Sequence, residues 1–405
     1  MYSPLRNGLL FAALALAAVA LPAASQSLEE LDARLRQHPS IEALTQRADA
    51  GRERAVAATA LPDPVVSLGV NNFPIFDPSF NAFLPTNKAV GVSQAIPSRA
   101  GREARSGEAR AMAVQTDRLR DAQLAMLHGE LVALLHEKQS IAGQQELAES
   151  RRVKYDELTE VAAAEIDAGR PAVFRLAEIE AERTRVAREL VVLKQREAEI
   201  DARLVDLTGL VPTTPAPPVE PASWSGEARD FHAVRVAEAG MDVAGYAIDG
   251  AEAAWKPNWG AQLTYQQRDA GANFAGDDWV SGMVTFSVPF WSGRSQAPRL
   301  RAAKADRASA EMQYQAAARS AAARYAAETA AWKAAKETIA VLAQNIAAVD
   351  DEIAAQLTIY ESGVGTYAPI IDGEIAILKL RADIAAEEAR RAGAASRINA
   401  LLVQP

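Results

Sequence analysis

The chain repeats its own pattern once over nearly its whole length, and this duplication restricts the folds open to it. Residues 40–207 and 234–401 carry the same order of features, offset by about 194 positions. The matching landmarks are Pro62 and Pro257, Ser98 and Ser292, and Gly169 and Gly363. Periods of about 20–50 residues are typical of solenoid proteins, so a period this long indicates a duplicated half-domain instead.

The pattern divides the chain into four segments: residues 1–25, 26–210, 211–226 and 227–405. The first is predicted to be a secretory signal peptide, because Arg6 precedes an apolar run that is too short to span a bilayer. An N-terminal anchor helix is the alternative. The second and fourth segments are the two structural repeats, and the third is an extended proline-rich linker. The chain has no cysteine, so we expect neither a lipid-modified N-terminus nor a disulfide.

Each repeat contains two short stretches in which apolar and polar residues alternate. The predicted strands are residues 65–73 and 88–96 in the first repeat, and 259–268 and 279–290 in the second. This period of two indicates a sheet with one apolar face and one polar face. A membrane-embedded sheet fits the pattern, and a soluble hairpin packed on a helix is the alternative.

The rest of each repeat is predicted to be helical and very long. Residues 100–168 contain no proline, and at 1.5 Å per residue such a helix reaches about 100 Å. Residues 298–362 have a similar reach. In the first repeat, the shorter helices 28–60 and 171–208 match this length when they are placed end to end. Residues 171–208 also carry an apolar heptad seam flanked by charged residues, which is typical of packed coiled coils.

These elements predict a mainly α fold with a small β part, built from duplicated helix-hairpin-helix halves. Four strands cannot close a membrane barrel, since about eight is the usual minimum. Two chains would give eight strands, whose interior side chains fill the lumen. Three chains would give a transmembrane barrel of twelve strands. The same trimer would place the helices in a long coiled-coil α-barrel that continues the β-barrel.

Three short motifs, in duplicated order, resemble those of the TolC-like outer-membrane efflux proteins. They are Leu61-Pro62-Asp63-Pro64 before the first strand, Val92-Ser93-Gln94-Ala95-Ile96-Pro97 with Gly101-Arg102 at the end of the second, and Asp167-Ala168-Gly169-Arg170-Pro171 between helices. The first two most resemble the heavy-metal efflux branch. The resemblance covers nearly the whole chain after residue 25.

The resemblance implies a place in the outer membrane of a Gram-negative cell, with a helical tunnel in the periplasm. It implies a homotrimer in contact with outer-membrane lipid, a periplasmic adaptor (membrane fusion) protein and an inner-membrane efflux pump. The protein would be the passive exit duct of this tripartite system. Heavy-metal cations are the cargo that the branch suggests.

The resemblance also places the candidate functional residues at the tip of the tunnel. The predicted tip turns are Gly169-Arg170-Pro171 and Gly363-Val364-Gly365. The family's tip acid falls on Asp372, and Glu178 and Glu374 are further candidate tunnel-gate acids. A second family acid is replaced here by Pro369. Three copies of Asp372 could form a cation-attracting ring, or the acids could be ordinary first-turn residues favoured by the helix dipole.

No constellation typical of catalysis or cofactor binding appears in the sequence. His128 and His136 lack the acid of a zinc-binding H-E-x-x-H motif, so solvated or packed histidines are the better interpretation. The net charge of −9 argues against nucleic acid as a partner. We therefore expect no enzyme, no cofactor and no resident metal. The rival interpretations are a soluble periplasmic coiled-coil scaffold or adaptor, which leaves the strands unexplained, and an exported hydrolase, which nothing supports.

Overall fold

The computed structural model describes residues 27–169 and 173–404, so the predicted signal peptide, Arg170 and Pro171 lie outside the described residues. The chain is mainly helical with one small sheet, as predicted. The helices are α1 (Leu28–Arg36), α2 (Pro39–Ala57), α3 (Arg99–Asp167), α4 (Val173–Thr208), α5 (His232–Ala253), α6 (Gln296–Glu361) and α7 (Ala368–Leu401). The strands are β1 (Val65–Asn71), β2 (Asn87–Ile96), β3 (Trp259–Gln267) and β4 (Trp279–Phe286).

Two uninterrupted helices set the length of the molecule. The 69 residues of α3 span about 100 Å, and α6 is nearly as long with 66 residues. The shorter helices pack beside them in pairs: α2 and α4 lie against α3, and α5 and α7 lie between α3 and α6. Each repeat therefore contributes one continuous helical column and one column of shorter helices, namely α1, α2 and α4 in the first repeat and α5 and α7 in the second. Among the described residues, no helix is both long and apolar enough to cross a membrane.

The predicted helix over residues 28–60 is wrong in one respect, because the chain breaks between α1 and α2. Pro39 is the first residue of α2, where its missing N–H costs nothing, whereas inside a longer helix its ring would clash with the preceding turn. The ring nitrogen Nδ1 of His38 accepts a hydrogen bond from the Ser40 N–H and caps the new helix. The break lets α1 turn toward α4 as well as α3.

The four strands form one antiparallel sheet in the order β1-β2-β3-β4. Its register aligns the apolar residues of neighbouring strands in rows across one face. One row is Val66, Val92 and Leu263, and the next is Leu68, Val90 and Tyr265. The opposite face carries small and polar residues, among them Ser67, Gly91 and Thr264. We call these the apolar face and the polar face. The predicted alternation is therefore confirmed across all four strands.

Two strands end earlier than the sequence pattern predicts. β1 stops at Asn71 rather than at residue 73, because Asn72 turns into the left-handed region with φ of +53°. β4 stops at Phe286 rather than at residue 290, and Pro289 in the excluded stretch has no N–H for a ladder. The ends of the sheet near residues 65, 96, 259 and 286 join the helices, and the two connecting loops, 72–86 and 268–278, lie at the far end.

Buried residues form separate clusters along the helical columns rather than one central core. The middle cluster joins α1, α3 and α4 through Leu31, Leu131 and Leu204, none of which is exposed. The proline-rich linker crosses the columns at this level, where the His136 ring contacts the Pro217 carbonyl at 2.8 Å. This is the packed histidine that the sequence favoured. Further along the linker, Trp224 packs against Phe231 and Tyr325. These aromatic residues belong to a second buried cluster, which joins α5, α6 and α7.

Candidate functional site

The two glycine turns lie at the end of the molecule opposite the sheet, which we call the tip. Gly169 and Gly363 each follow the C-terminus of a long helix with φ of +77° and +78°. This left-handed conformation costs an L-residue roughly 1–2 kcal/mol, and glycine adopts it freely. The Gly169 N–H donates to the Ile166 carbonyl and the Gly363 N–H to the Tyr360 carbonyl, each at 2.9 Å. The glycines therefore reverse the chain at the tip, as predicted.

The second turn is tight and presents an apolar residue outward. A Cβ atom on Gly365 would come within 2.8 Å of the Ile359 side chain, so only glycine fits this close approach. Tyr360 and Tyr367 stack edge-on across the turn, with their ring centroids 5.2 Å apart. Val364 stands at the apex and is 84% exposed.

Behind the turns, α3, α4 and α7 meet in a small apolar core. Leu158 on α3, Ile179 on α4 and Ile371 on α7 are all buried there. Pro369 occupies the first turn of α7, where a proline needs no backbone partner. Its place in the helix therefore explains why proline is tolerated where the family resemblance led us to look for an acid.

The candidate acid Asp372 lies on α7 and forms an ion pair with Arg175 on α4. Arg175 Nη1 also lies 3.8 Å from Glu178 Oε2, one turn along its own helix. Asp372 and Glu178 are therefore brought together around one guanidinium. Neither acid lies in the first turn of its helix, and Asp372 also links two helices through a residue 197 positions away.

The candidate acid Glu374 forms a second link, between α7 and α3. Its Oε2 lies 3.0 Å from Lys154 Nζ, which also bonds to Glu157 on its own helix at 2.8 Å. The hydrogen bond to Glu157 and then that to Glu374 raise the pKa of Lys154 above its ordinary value. The ammonium is therefore charged at any physiological pH, and α7 is tied to α3 by this pair and to α4 by the Arg175–Asp372 pair.

Two more polar groups bind α3 to α4 inside the same region. Arg151 is almost completely buried and contacts Glu189 at 2.5 Å. The Tyr155 hydroxyl donates to Glu182 at 3.4 Å, and burial raises the pKa of this phenol to about 12, with the charge of Glu182 as the next cause. Tyr155 is thus a neutral donor that stays in place over the physiological range.

Sequence reasoning found the acids of the tip but missed their partners. Arg175 could have been suspected, since it precedes Glu178 by three positions on one helix face. Lys154 and Arg151 belong to a long charged helix and gave no signal. Among residues 27–169 and 173–404, no group of three or more His, Asp or Glu side chains is arranged to hold a metal ion.

The tryptophans near the strands divide between the two faces of the sheet. Trp259 lies on the apolar face and packs on Phe286, with ring centroids 5.4 Å apart. Trp279 lies on the polar face, where it pairs with Gln266 and covers the guanidinium of Arg268 at 5.2 Å. Of these two tryptophans, only Trp259 therefore lies on the apolar face.

Comparison with known proteins gives a match to one family model in the second half of the chain and a shared fold over nearly all of it. Residues 229–403 match the family model described as outer membrane efflux protein. No curated protein sequence matches the chain.

Three solved structures illustrate the shared fold. The outer membrane protein VceC of Vibrio cholerae has a TM-score of 0.74 at 16% identity, covering 92% of this chain and 95% of its own. CusC, whose structures concern folding and transmembrane channel formation, has a TM-score of 0.76 at 14% identity over 93% and 92%. The MtrE outer membrane channel of Neisseria gonorrhoeae, in its open state, has a TM-score of 0.69 at 17% identity over 92% and 88%.

Proposed function

We propose that this chain is a member of the outer membrane efflux protein family, whose model matches residues 229–403, and that it is the outer-membrane duct of a tripartite efflux system. Three copies form one channel whose barrel lies in the outer membrane of a Gram-negative cell and whose helical tunnel extends into the periplasm. The sheet gives the most direct support for this proposal. Most of its large apolar residues lie on one face, while the small and polar residues of the other face are suited to line a water-filled lumen.

The edges of the sheet support the trimer. β1 and β4 each pair with only one strand, so each presents a free row of backbone N–H and C=O groups. Such groups cannot stay unpaired inside a bilayer. If the β4 edge of one copy pairs with the β1 edge of the next, three copies close a barrel of twelve strands without a free edge. The helical columns of the same three copies then surround a common axis.

The tip supports a role in closing the duct. The ion pairs Arg175–Asp372 and Lys154–Glu374 fasten α7 to α4 and to α3. We name these two pairs the tip latch. When they are intact, α7 is held against its neighbours, and when they separate it is free to move outward. Glu178 also lies beside Arg175, but on the same helix, so this contact ties no helices together.

The cation-attracting ring of Asp372 remains a separate prediction. Arg175 offsets the charge of each Asp372 in the latched state, so the ring would act mainly when the latch is open. Replacing Asp372 with Asn and measuring cation selectivity in planar bilayers tests it. Unchanged selectivity and unchanged block by multivalent cations would reject the proposed ring, and they would not bear on the proposed latch.

Export is driven elsewhere in the assembly. We propose that an inner-membrane pump and a periplasmic adaptor deliver the cargo, and that the adaptor meets the exposed tip turns around Gly169 and Val364. Heavy-metal cations are the proposed cargo, on the strength of the sequence motifs before β1 and at the end of β2. A strain that lacks the gene should then become more sensitive to copper, silver, zinc or cobalt. Sensitivity to antibiotics alone would reject the metal and keep the duct.

The decisive experiment for the duct is fractionation followed by reconstitution. Heat-resistant trimers in the outer-membrane fraction that conduct ions in a planar bilayer support the proposal. Release of the protein by osmotic shock, without channel activity, would support a soluble periplasmic scaffold instead.

A further inference from the structure

The loop between β1 and β2 carries two large apolar side chains that no other described residue of the chain covers. Ile75 is 85% exposed and Phe76 is fully exposed. They belong to loop 72–86, at the end of the sheet far from the helices. A soluble loop rarely presents an adjacent isoleucine and phenylalanine to water, so this pair requires a partner. We call Ile75 and Phe76 the loop finger.

Aromatic contacts fix the side of the sheet on which this loop lies. The Phe73 and Phe80 rings pack together with centroids 4.9 Å apart. The ammonium of Lys88 lies over the Phe80 ring at 5.0 Å. Lys88 lies opposite Val70 on β1 and Gln267 on β3. It is two positions from Val90 on the same strand, so its side chain projects from the same apolar face. The base of the finger is thus held on the apolar side and not over the polar face.

Polar groups on the apolar face mark the level at which a hydrocarbon layer would end. Lys88 Nζ pairs with Asp269 at 2.9 Å, and the Tyr265 hydroxyl donates to Asp278. Lysine and tyrosine at this position extend their polar ends from the hydrocarbon into the headgroup region. Below them the apolar face continues down to Trp259 and Phe286, about 20 Å away along β3 at 3.3 Å per residue.

We propose that the loop finger inserts into the lipid of the outer leaflet, beside the barrel wall, and anchors the upper rim of each subunit to the membrane. The proposal rests on the membrane-embedded barrel proposed above. Its occupant is lipid at the boundary between acyl chains and headgroups, because Lys88 and Tyr265 place the base of the loop at this level and the Phe73–Phe80–Lys88 stack holds it on the apolar side. A plug of three fingers across the lumen is the competing arrangement, and the Phe73–Phe80–Lys88 stack opposes it by holding the loop on the outer side.

The absence of cysteine from the sequence permits a clean test with single labelled cysteines. Phe76→Cys, Ala272→Cys and Leu68→Cys are each labelled with an environment-sensitive fluorophore and reconstituted in vesicles of phosphatidylethanolamine and phosphatidylglycerol. Ala272 is an exposed residue of the other loop, and Leu68 lies on the apolar face of β1. If the loop finger inserts into lipid, the labels at positions 76 and 68 should emit blue-shifted light and be quenched several-fold by brominated acyl chains. The label at position 272 should show the emission of an aqueous environment.

The same three labels separate failure of the finger from failure of the barrel. A watery signal at position 76 with a lipid signal at position 68 overturns the finger alone. Watery signals at both positions overturn the barrel and the finger together. The double variant Ile75→Ser/Phe76→Ser provides an independent readout, because lipid insertion predicts an unchanged single-channel conductance. A conductance that rises in this variant assigns the residues to a pore plug and also overturns the proposal.

Discussion

The tip latch makes a quantitative prediction about channel opening. The double variant Asp372→Asn/Glu374→Gln keeps the shape of both side chains but removes both ion pairs that hold α7. All four partners are between 30% and 45% exposed, so each pair contributes only about 0.5 kcal/mol after solvent screening. Six such pairs in a trimer amount to about 3 kcal/mol. If they separate in one concerted step, the ratio of open to closed channels rises about 100-fold.

Single-channel recording in planar bilayers measures this ratio as the fraction of time spent in the high-conductance state. The matched control is Glu178→Gln/Glu157→Gln. It removes two acids per subunit from the same two cations, but those acids lie on the same helix as their cation and tie no helices together. The control is expected to leave opening nearly unchanged. Equal opening in both variants would refute the latch in favour of a general effect of charge, and no opening in either would show that these pairs do not hold the tip.

Three further outcomes follow from the packing and charges of the described residues. Leu204→Ala should lower the free energy of unfolding by roughly 2–5 kcal/mol, because Leu204 is fully buried. The control Val191→Ala, on the exposed side of the same helix, should change it by less than about 0.5 kcal/mol. Thermal melting of the two variants in detergent measures this difference. Gly107→Val should impair folding, since a Cβ there would lie 2.5 Å from the Tyr246 ring, and adding Tyr246→Ala should restore folded yield measured by gel filtration. The hydrogen bond to Asp32 raises the pKa of His128, so its stabilisation is complete below the ordinary value of 6.5 and is lost as pH rises through the higher folded value. Wild type should therefore exceed Asp32→Asn in melting temperature most strongly in acidic buffer, and a pH-independent difference would contradict this assignment.

Local patterns in the sequence were enough to predict the architecture. Alternation in the strands places Val66, Leu68 and their partners on one face because side chains in a strand have a fixed period of two. Gly169 and Gly363 predict the tip because few other residues adopt their positive φ. These features depend on neighbours in the chain, so they can be read without knowing the packing.

The contacts that we propose hold the tip closed could not be predicted in the same way. Arg175 and Asp372 are far apart in the sequence, and their pairing depends on how α4 and α7 lie against α3. Lys154 is one of many basic residues on a 69-residue helix, and only the packing selects it as the partner of Glu374. The break at Pro39 is a different case, because it follows from a local rule that the predicted helix over residues 28–60 did not take into account.

The mass of the protein in detergent tests the central claim most directly. Native mass spectrometry of the mature protein, extracted from the outer membrane and released from its micelle, counts the chains in one particle. A sheet with two free edges, closed by its neighbours, predicts a complex of three chains. A particle that contains a single chain and remains folded after the detergent is removed would contradict the shared barrel.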